Sequence, residues 1–284
     1  MDWIKRLNAA INYIEEHLTD EPDYEQLGRI ACCSAYHFQR MFGYMAGTSL
    51  SEYIRRRRMS RAAVDLQSGD LKIIDIAAKY GYESPTAFNR AFQSVHGFAP
   101  SQAREEGRTL SSFPPISFQI TIKGAVQMDY RIEKKGAFRI VGLSAPLEQE
   151  IEKNFETVPG LWGKAAQDGT IAKLSSMMNA QPMGILGVSA CNGAAEQWRY
   201  YIAVASSLPA DDFEEYVVPA ATWAVFSGRG NGISIQELEK RIVTEWLPTS
   251  GYEYGTGPDV EVYLDPTPEN TRYEVWVPVI KQNG

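Results

Sequence analysis

Cysteine and histidine are both scarce, with three of each in 284 residues. Cys32, Cys33 and Cys191 are odd in number and lack metal-ligand spacing, which speaks against a disulfide framework or a zinc site. Adjacent Cys32 and Cys33 cannot face one ion together with suitable partners, so buried thiols in a reducing cytoplasm fit better. His17, His37 and His96 all fall in the first half of the chain. No Ser/His/Asp or Cys/His set is visible, and no catalytic residue, metal ligand or cofactor is expected. No run of about 18 apolar residues exists, so no transmembrane helix is expected. The chain begins with a periodic amphipathic stretch, Trp3, Ile4, Leu7, Ile11, Ile14 and Leu18, rather than the apolar block of a signal peptide. A cytoplasmic protein with no membrane partner is the expectation.

A surplus of positive charge is missing too. The net charge is −7, which by itself argues against nucleic acid. The distribution reverses that inference. Residues 1–108 hold 14 basic and 14 acidic side chains, so the acidic surplus lies wholly in the later part. In the first part, arginines cluster between Arg40 and Arg61, and Glu15, Glu16, Asp20, Glu21 and Asp23 sit elsewhere. DNA binding needs a local basic face, not a basic chain.

What is present is a repeated pattern. In Asp75–Arg104, Ile76, Ala77 and Tyr80 recur at helical spacing, and Gly81 supplies a tight turn. Ser84 can cap a second helix, with Pro85 in its first turn. There Phe88, Ala91, Phe92 and Val95 form an apolar stripe. Thr86, Asn89, Arg90 and Gln93 fall opposite, and such side chains can bond base edges or phosphates. This is helix-turn-helix patterning. Fifty residues earlier, Ser34, Phe38, Arg40 and Phe42 match Ser84, Phe88, Arg90 and Phe92, and Gly47 matches Gly97. The second copy carries one extra residue, Glu83. In the first, Tyr36, Gln39, Arg40 and His37 are expected to face outward, His37 toward phosphate. Two copies in register are a strong signal.

Between them, Ser49–Gln67 has no Gly or Pro and reads as one helix about 28 Å long. Such a rod can hold two recognition helices about one DNA turn apart, near 34 Å. It carries Arg55, Arg56, Arg57, Arg58 and Arg61. Most are expected to pair on the helix surface with Glu52 and Asp65, and Arg58 to touch phosphate.

After Arg108 the composition changes. Arg108–Pro115 reads as a linker punctuated by serine and paired proline. Beyond it the period shifts from 3.6 to 2. Met128–Leu143 reads as a strand, a Lys-Lys-Gly turn and a strand. A helix over Ile151–Gln167 is expected to be interrupted near Pro159-Gly160. A hairpin turns about Asn192-Gly193, Phe213–Ser227 is strand-like, Ile235–Leu247 is helical, and Val260–Leu264 and Arg272–Ile280 are closing strands. Two successive β-α-β-β units in an α+β domain follow. In the segment Val260–Leu264, Glu261 and Tyr263 share a face. A carboxylate beside aromatics suits a ligand cation, although a surface glutamate on an edge strand fits the periodicity at least as well.

Residues from about Trp3 to Arg108 resemble the DNA-binding domain of AraC/XylS-type regulators. Ile76, Ala77, Gly81, Tyr82, Ser84, Phe88, Arg90, Phe92, Gly97, Pro100 and Arg104 carry the likeness. Cys32 departs from it, where a turn glycine is usual. Residues from about 127 to 284 resemble the GyrI-like effector-binding domain. Trp246, Leu247, Pro248, Ser250, Gly251, Tyr252 and Glu253 carry that likeness, then Asp259–Tyr263 and Glu274–Val279. The combined resemblance implies an all-α tandem helix-turn-helix domain at 1–108, a linker at 109–126 and an α+β domain at 127–284. It implies a transcription regulator that binds double-stranded DNA and a hydrophobic or cationic small molecule, with RNA polymerase as a further candidate partner. Tyr36, Gln39, Arg40, Arg58, Thr86, Asn89 and Arg90 are the candidate DNA contacts. Glu261, as the buried acid, with Tyr263, Trp223, Tyr201 and Trp162, is the candidate ligand site. Two alternatives come with the resemblance: a hydrolase using a glutamate and tyrosine in the same cleft, or a module that binds a topoisomerase.

Overall fold

The computed structural model describes residues 2–69, 71–119, 127–148, 151–192, 197–265 and 270–281. The chain divides into a helical unit, Met1–Gln119, and a second unit from residue 120 onward. No helix among the described residues is long and apolar enough to cross a membrane.

The helical unit contains α1 (Asp2–Glu16), α2 (Tyr24–Ala31), α3 (Ala35–Ala46), α4 (Leu50–Ser68), α5 (Ile73–Lys79), α6 (Pro85–His96) and a 3-10 turn at Pro100–Arg104. Local chemistry sets the boundaries. Ser34 caps α3 by accepting from the His37 amide, and Ser84 caps α6 by accepting from the Ala87 amide. Gly47 and Gly97 end these two helices in the left-handed conformation, which costs glycine nothing. The rod α4 spans 19 residues, as its uninterrupted pattern predicts. It lends one wall to each copy. Met59, Ala62, Ala63 and Leu66 close over Ile76, Phe88 and Phe92, while Tyr53 meets Phe42 with ring centroids 5.4 Å apart. Each fully buried phenylalanine contributes about 1.5–3 kcal/mol.

Residues 109–118 do not behave as a free linker. They lie extended along the helical unit, and Phe118 is only 7% exposed. Of the expected linker, 120–126 falls outside the described residues.

In the second unit the strands are β1 (Tyr130–Lys135), β2 (Phe138–Pro146), β3 (Ile185–Asn192), β4 (Gln197–Ala205), β5 (Glu214–Val218), β6 (Ala221–Gly230), β7 (Tyr252–Tyr254), β8 (Asp259–Tyr263) and β9 (Thr271–Lys281). The helices are α7 (Ile151–Gln167), α8 (Thr170–Met177) and α9 (Gly232–Arg241), the last running into a π-helical turn at Ile242–Trp246. Strand order is β1-β6-β9-β8-β3-β4-β2-β5, antiparallel in every pairing, with β7 beside β9. The order is symmetric about the central pair β3 and β8: β4 answers β9, β2 answers β6, and β5 answers β1. That is the two-fold repeat of β-α-β-β units which the sequence pattern implies.

Three expectations change. The strands on either side of the Lys-Lys-Gly turn do not pair with each other; β1 joins β6, and β2 joins β4 and β5. Phe213–Ser227 is two strands, because Pro219 breaks the run. Pro159 sits inside α7 without ending it. Two further short elements, α8 and β7, lie outside the elements expected from the sequence. Gly193, half of the expected hairpin turn, lies outside the described residues.

Candidate functional site

On α6, Thr86 and Arg90 are exposed and Asn89 is half-buried. They sit opposite Phe88 and Phe92, which are fully buried. The first copy presents less. Tyr36 and Arg40 are half-buried, and the Arg40 guanidinium lies 5.7 Å from the Tyr36 ring centroid and 5.8 Å from that of Tyr44. Gln39 is 3% exposed, not outward-facing. It stands one turn after buried Ala35 and three residues before buried Phe42, so it borders the apolar stripe rather than opposing it. His37, expected toward phosphate, is 1% exposed.

Arg58 is also reassigned. Its Nε donates to the Leu18 carbonyl at 2.8 Å and a terminal nitrogen donates to the Asp20 carbonyl at 2.6 Å. Burial lowers its pKa. It therefore holds the chain after α1, where carbonyls are otherwise unpaired, and does not reach toward phosphate. Its neighbours are occupied too. Arg55 and Arg56 bond Glu52, and Arg57 grips Glu15 through Nε at 2.8 Å and a terminal nitrogen at 2.5 Å. Asp65 takes Lys79 at 2.7 Å and the Tyr80 hydroxyl at 2.9 Å.

In the second unit, strand alternation sorts the expected ligand residues. Glu261 and Tyr263 share a face of β8, and the Tyr263 hydroxyl donates to Glu261 Oε2 at 2.8 Å. The Tyr200 hydroxyl donates to the same oxygen at 3.0 Å. Trp162, on α7, donates from Nε1 to the Tyr200 oxygen at 3.0 Å, and its ring meets Tyr263 edge-on at 4.9 Å. Burial, then the adjacent carboxylate, pushes the Tyr263 phenol well above its usual pKa, so it remains a donor. Gly187 pairs with Glu261 across β3 and β8. A Cβ there would lie 2.7 Å from Glu261 Oε2 and collide with the Tyr200 hydroxyl, so only glycine leaves room for the cluster.

Tyr201 and Trp223 are not brought to this site. Both point to the opposite face of the sheet, 1% and 0% exposed, in a core with Val188, Val260 and Trp276. Tyr201 stacks on Tyr216, and Trp223 lies 5.9 Å from Trp276. Tyr200, one position earlier, takes the expected place of Tyr201, because successive strand residues alternate faces. The tandem Tyr200-Tyr201 offers no sequence signal for choosing between them. Gly187 was not foreseen, and a glycine inside an apolar strand run is the signal that could have marked it.

Comparison with known families matches residues 128–280 to the GyrI-like small molecule binding domain and residues 27–106 to a helix-turn-helix domain. The chain belongs to the GyrI-like family. Its helix-turn-helix part is AraC-type. That part is 38% identical over 98 residues to the HTH-type transcriptional activator AarP of Providencia stuartii, covering 34% of this chain and 73% of AarP. It is 34% identical over 98 residues to the regulatory protein SoxS of Salmonella typhimurium, covering 34% of this chain and 92% of SoxS. Against the uncharacterized regulator YbfP of Bacillus subtilis it is 38% identical, covering 37% of this chain but only 35% of YbfP. The solved structure of SAV2435 bound to tetraphenylphosphonium aligns at 22% identity and a TM-score of 0.47, over 54% of this chain and 94% of that one. The GyrI-like sheet and the AraC-type helices thus make a DNA-binding regulator with an effector domain.

Proposed function

We propose that this regulator reads duplex DNA with α3 and α6 and that a hydrophobic cation, bound against Glu261, controls it. Thr86, Asn89 and Arg90 are the base and phosphate contacts on α6, joined by Tyr36 and Arg40 on α3. The DNA-reading unit runs to residue 119 rather than to Arg108. DNA as partner fits a cytoplasmic chain, and RNA polymerase is the further partner such a regulator meets.

The observation that carries the effector reading is the acid ringed by aromatics. Glu261 is half-buried among Trp162, Tyr200 and Tyr263. Withdrawing a carboxylate from water is costly unless hydrogen bonds and an opposite charge compensate. Two phenol O–H groups supply the first. A lipophilic cation brings charge of the opposite sign and finds aromatic faces beside the carboxylate.

Glu261→Gln tests this, because it keeps shape and removes charge. Titration is followed through Trp162, which touches the cluster. Affinity for a quaternary ammonium dye is expected to fall about tenfold or more, which is ~1.4 kcal/mol. A neutral analogue of the same size should lose little. Equal losses for both would show that Glu261 only shapes the pocket, and no loss for either would place the site elsewhere.

A further inference from the structure

We propose that residues 109–118 are a strap seated in a groove prebuilt by the helical unit, and that its seating sets the arrangement of both recognition helices and hence DNA affinity. The proposal concerns the DNA-reading unit alone; only its use by an effector rests on the function proposed above.

The strap is bound at successive points. The Ser111 amide donates to His96 Nδ1 at 3.2 Å, the Phe113 amide to Ser60 Oγ at 2.9 Å, and the Ile116 amide to the Tyr53 hydroxyl at 3.4 Å. Arg57 donates to the Phe113 carbonyl at 2.5 Å. The Asn8 side chain then clasps one residue from both sides, accepting from the Phe118 amide at 2.7 Å and donating to its carbonyl at 3.0 Å. Pro114 and Pro115 fall between the anchored amides and keep the chain extended without wasting a donor.

The groove is oriented before the strap arrives. Ser60 commits its proton to the Arg56 carbonyl at 2.9 Å, and Tyr53 commits its own to Glu15 at 2.6 Å. The other ring nitrogen of His96, Nε2, faces the Met59 carbonyl at 3.1 Å. Burial lowers the His96 pKa, which keeps the imidazole neutral and Nδ1 an acceptor. Each of the three groups therefore turns a lone pair toward a strap amide.

The seat lies on both reading elements. His96 is the last residue of α6, and Phe118 meets Phe42 of α3 edge-on at 5.8 Å. An unseated strap removes an aromatic contact from the core of α3 and a hydrogen bond from the end of α6 together. It is also the covalent route to the second unit.

Asn8→Ala and Phe118→Ala in the full-length chain test this. The probe is a duplex selected from a random library by the unaltered chain, with hydrogen exchange measured on the same samples. Both variants should speed exchange at Ser111, Phe113, Ile116 and Phe118 and weaken DNA binding by about tenfold, a size usual for coupled sites. Fast-exchanging strap amides with DNA affinity within about twofold of the unaltered chain would overturn the proposal. Strap amides still protected in a folded variant would overturn it too, because the named anchors would then not hold it. If Phe118→Ala does not fold, Asn8→Ala decides, since Asn8 lies outside the buried core of α1. A quaternary ammonium dye, followed by its own anisotropy, should bind both variants as it binds the unaltered chain. A dye that fails to bind the unaltered chain counts against the effector reading alone.

Discussion

Between α2 and α3 the turn is closed by Cys32, a non-glycine residue at φ 57°. Between α5 and α6 it is closed by Gly81 at φ 78°, and the loop is longer, 80–84 against 32–34, with Glu83 the inserted residue. The shorter turn draws α2 onto the start of α3. A Cβ on Gly28 would come within 2.7 Å of the Ala35 nitrogen, 2.8 Å of the Cys33 oxygen and 2.9 Å of the Ser34 carbonyl carbon. The aligned residue in the second copy is Ala77, which is buried without conflict. The residues expected to read DNA differ in parallel. Gln39 and His37 are buried and Arg40 lies between two tyrosine rings, whereas Thr86 and Arg90 stand open. A single inserted residue thus separates a tight copy from a relaxed one on the same helical frame.

The most severe way to break this contrast is Gly28→Ala. All three clashing atoms are backbone and cannot rotate away, so the cost is expected to be about 3 kcal/mol, read as a lower thermal midpoint. Ala77→Gly in the relaxed copy should cost only about 1 kcal/mol, and equal costs would refute the tight-versus-relaxed distinction. Next come the reading side chains. Asn89→Ala and Arg90→Ala should each weaken a selected duplex by about 1–3 kcal/mol. Gln39→Ala should lower stability and leave DNA affinity within about 0.5 kcal/mol; a larger DNA effect would return Gln39 to the interface. Smaller again is Arg58→Ala. It should cost about 1.5 kcal/mol of stability by freeing the Leu18 and Asp20 carbonyls, with the salt slope of DNA binding unchanged. A slope lower by about one would reinstate a phosphate contact. The smallest effect is Cys32→Gly. It relieves a left-handed strain of about 1 kcal/mol, partly offset by glycine's backbone entropy. The denaturant midpoint should rise slightly, and a fall would show that the thiol packs usefully.

Features set by local periodicity were legible from the residues alone. The caps Ser34 and Ser84, the aligned phenylalanines and the 19-residue rod follow from spacing that neighbours do not alter. The repeat of β-α-β-β units was legible for the same reason. Glu261 beside Tyr263 followed from strand alternation. What tertiary pairing decides was not legible. Nothing local tells Tyr200 from Tyr201, yet one residue of register moves a hydroxyl from the core to the acid. Trp223 has the composition of a ligand aromatic and is instead the centre of the opposite face. Arg58 lies in a run of four arginines, and only the approach of the chain after α1 distinguishes it. Paired prolines signal an end to regular structure, which residues 109–118 obey, but not whether the extended chain lies free or seated.

Both recognition helices are twelve residues long, opened by a serine and closed by a left-handed glycine. The features that start, stop and seat each helix are therefore separate from the side chains that face outward from it. If Thr86, Asn89, Arg90, Tyr36 and Arg40 meet the DNA as proposed, inherited change at them would alter which bases are met without disturbing the frame that presents them. A gene duplicated from such a parent can acquire a new target through point changes at solvent-facing positions, one copy of the motif at a time. The tight copy, with fewer open positions, would drift more slowly than the relaxed one.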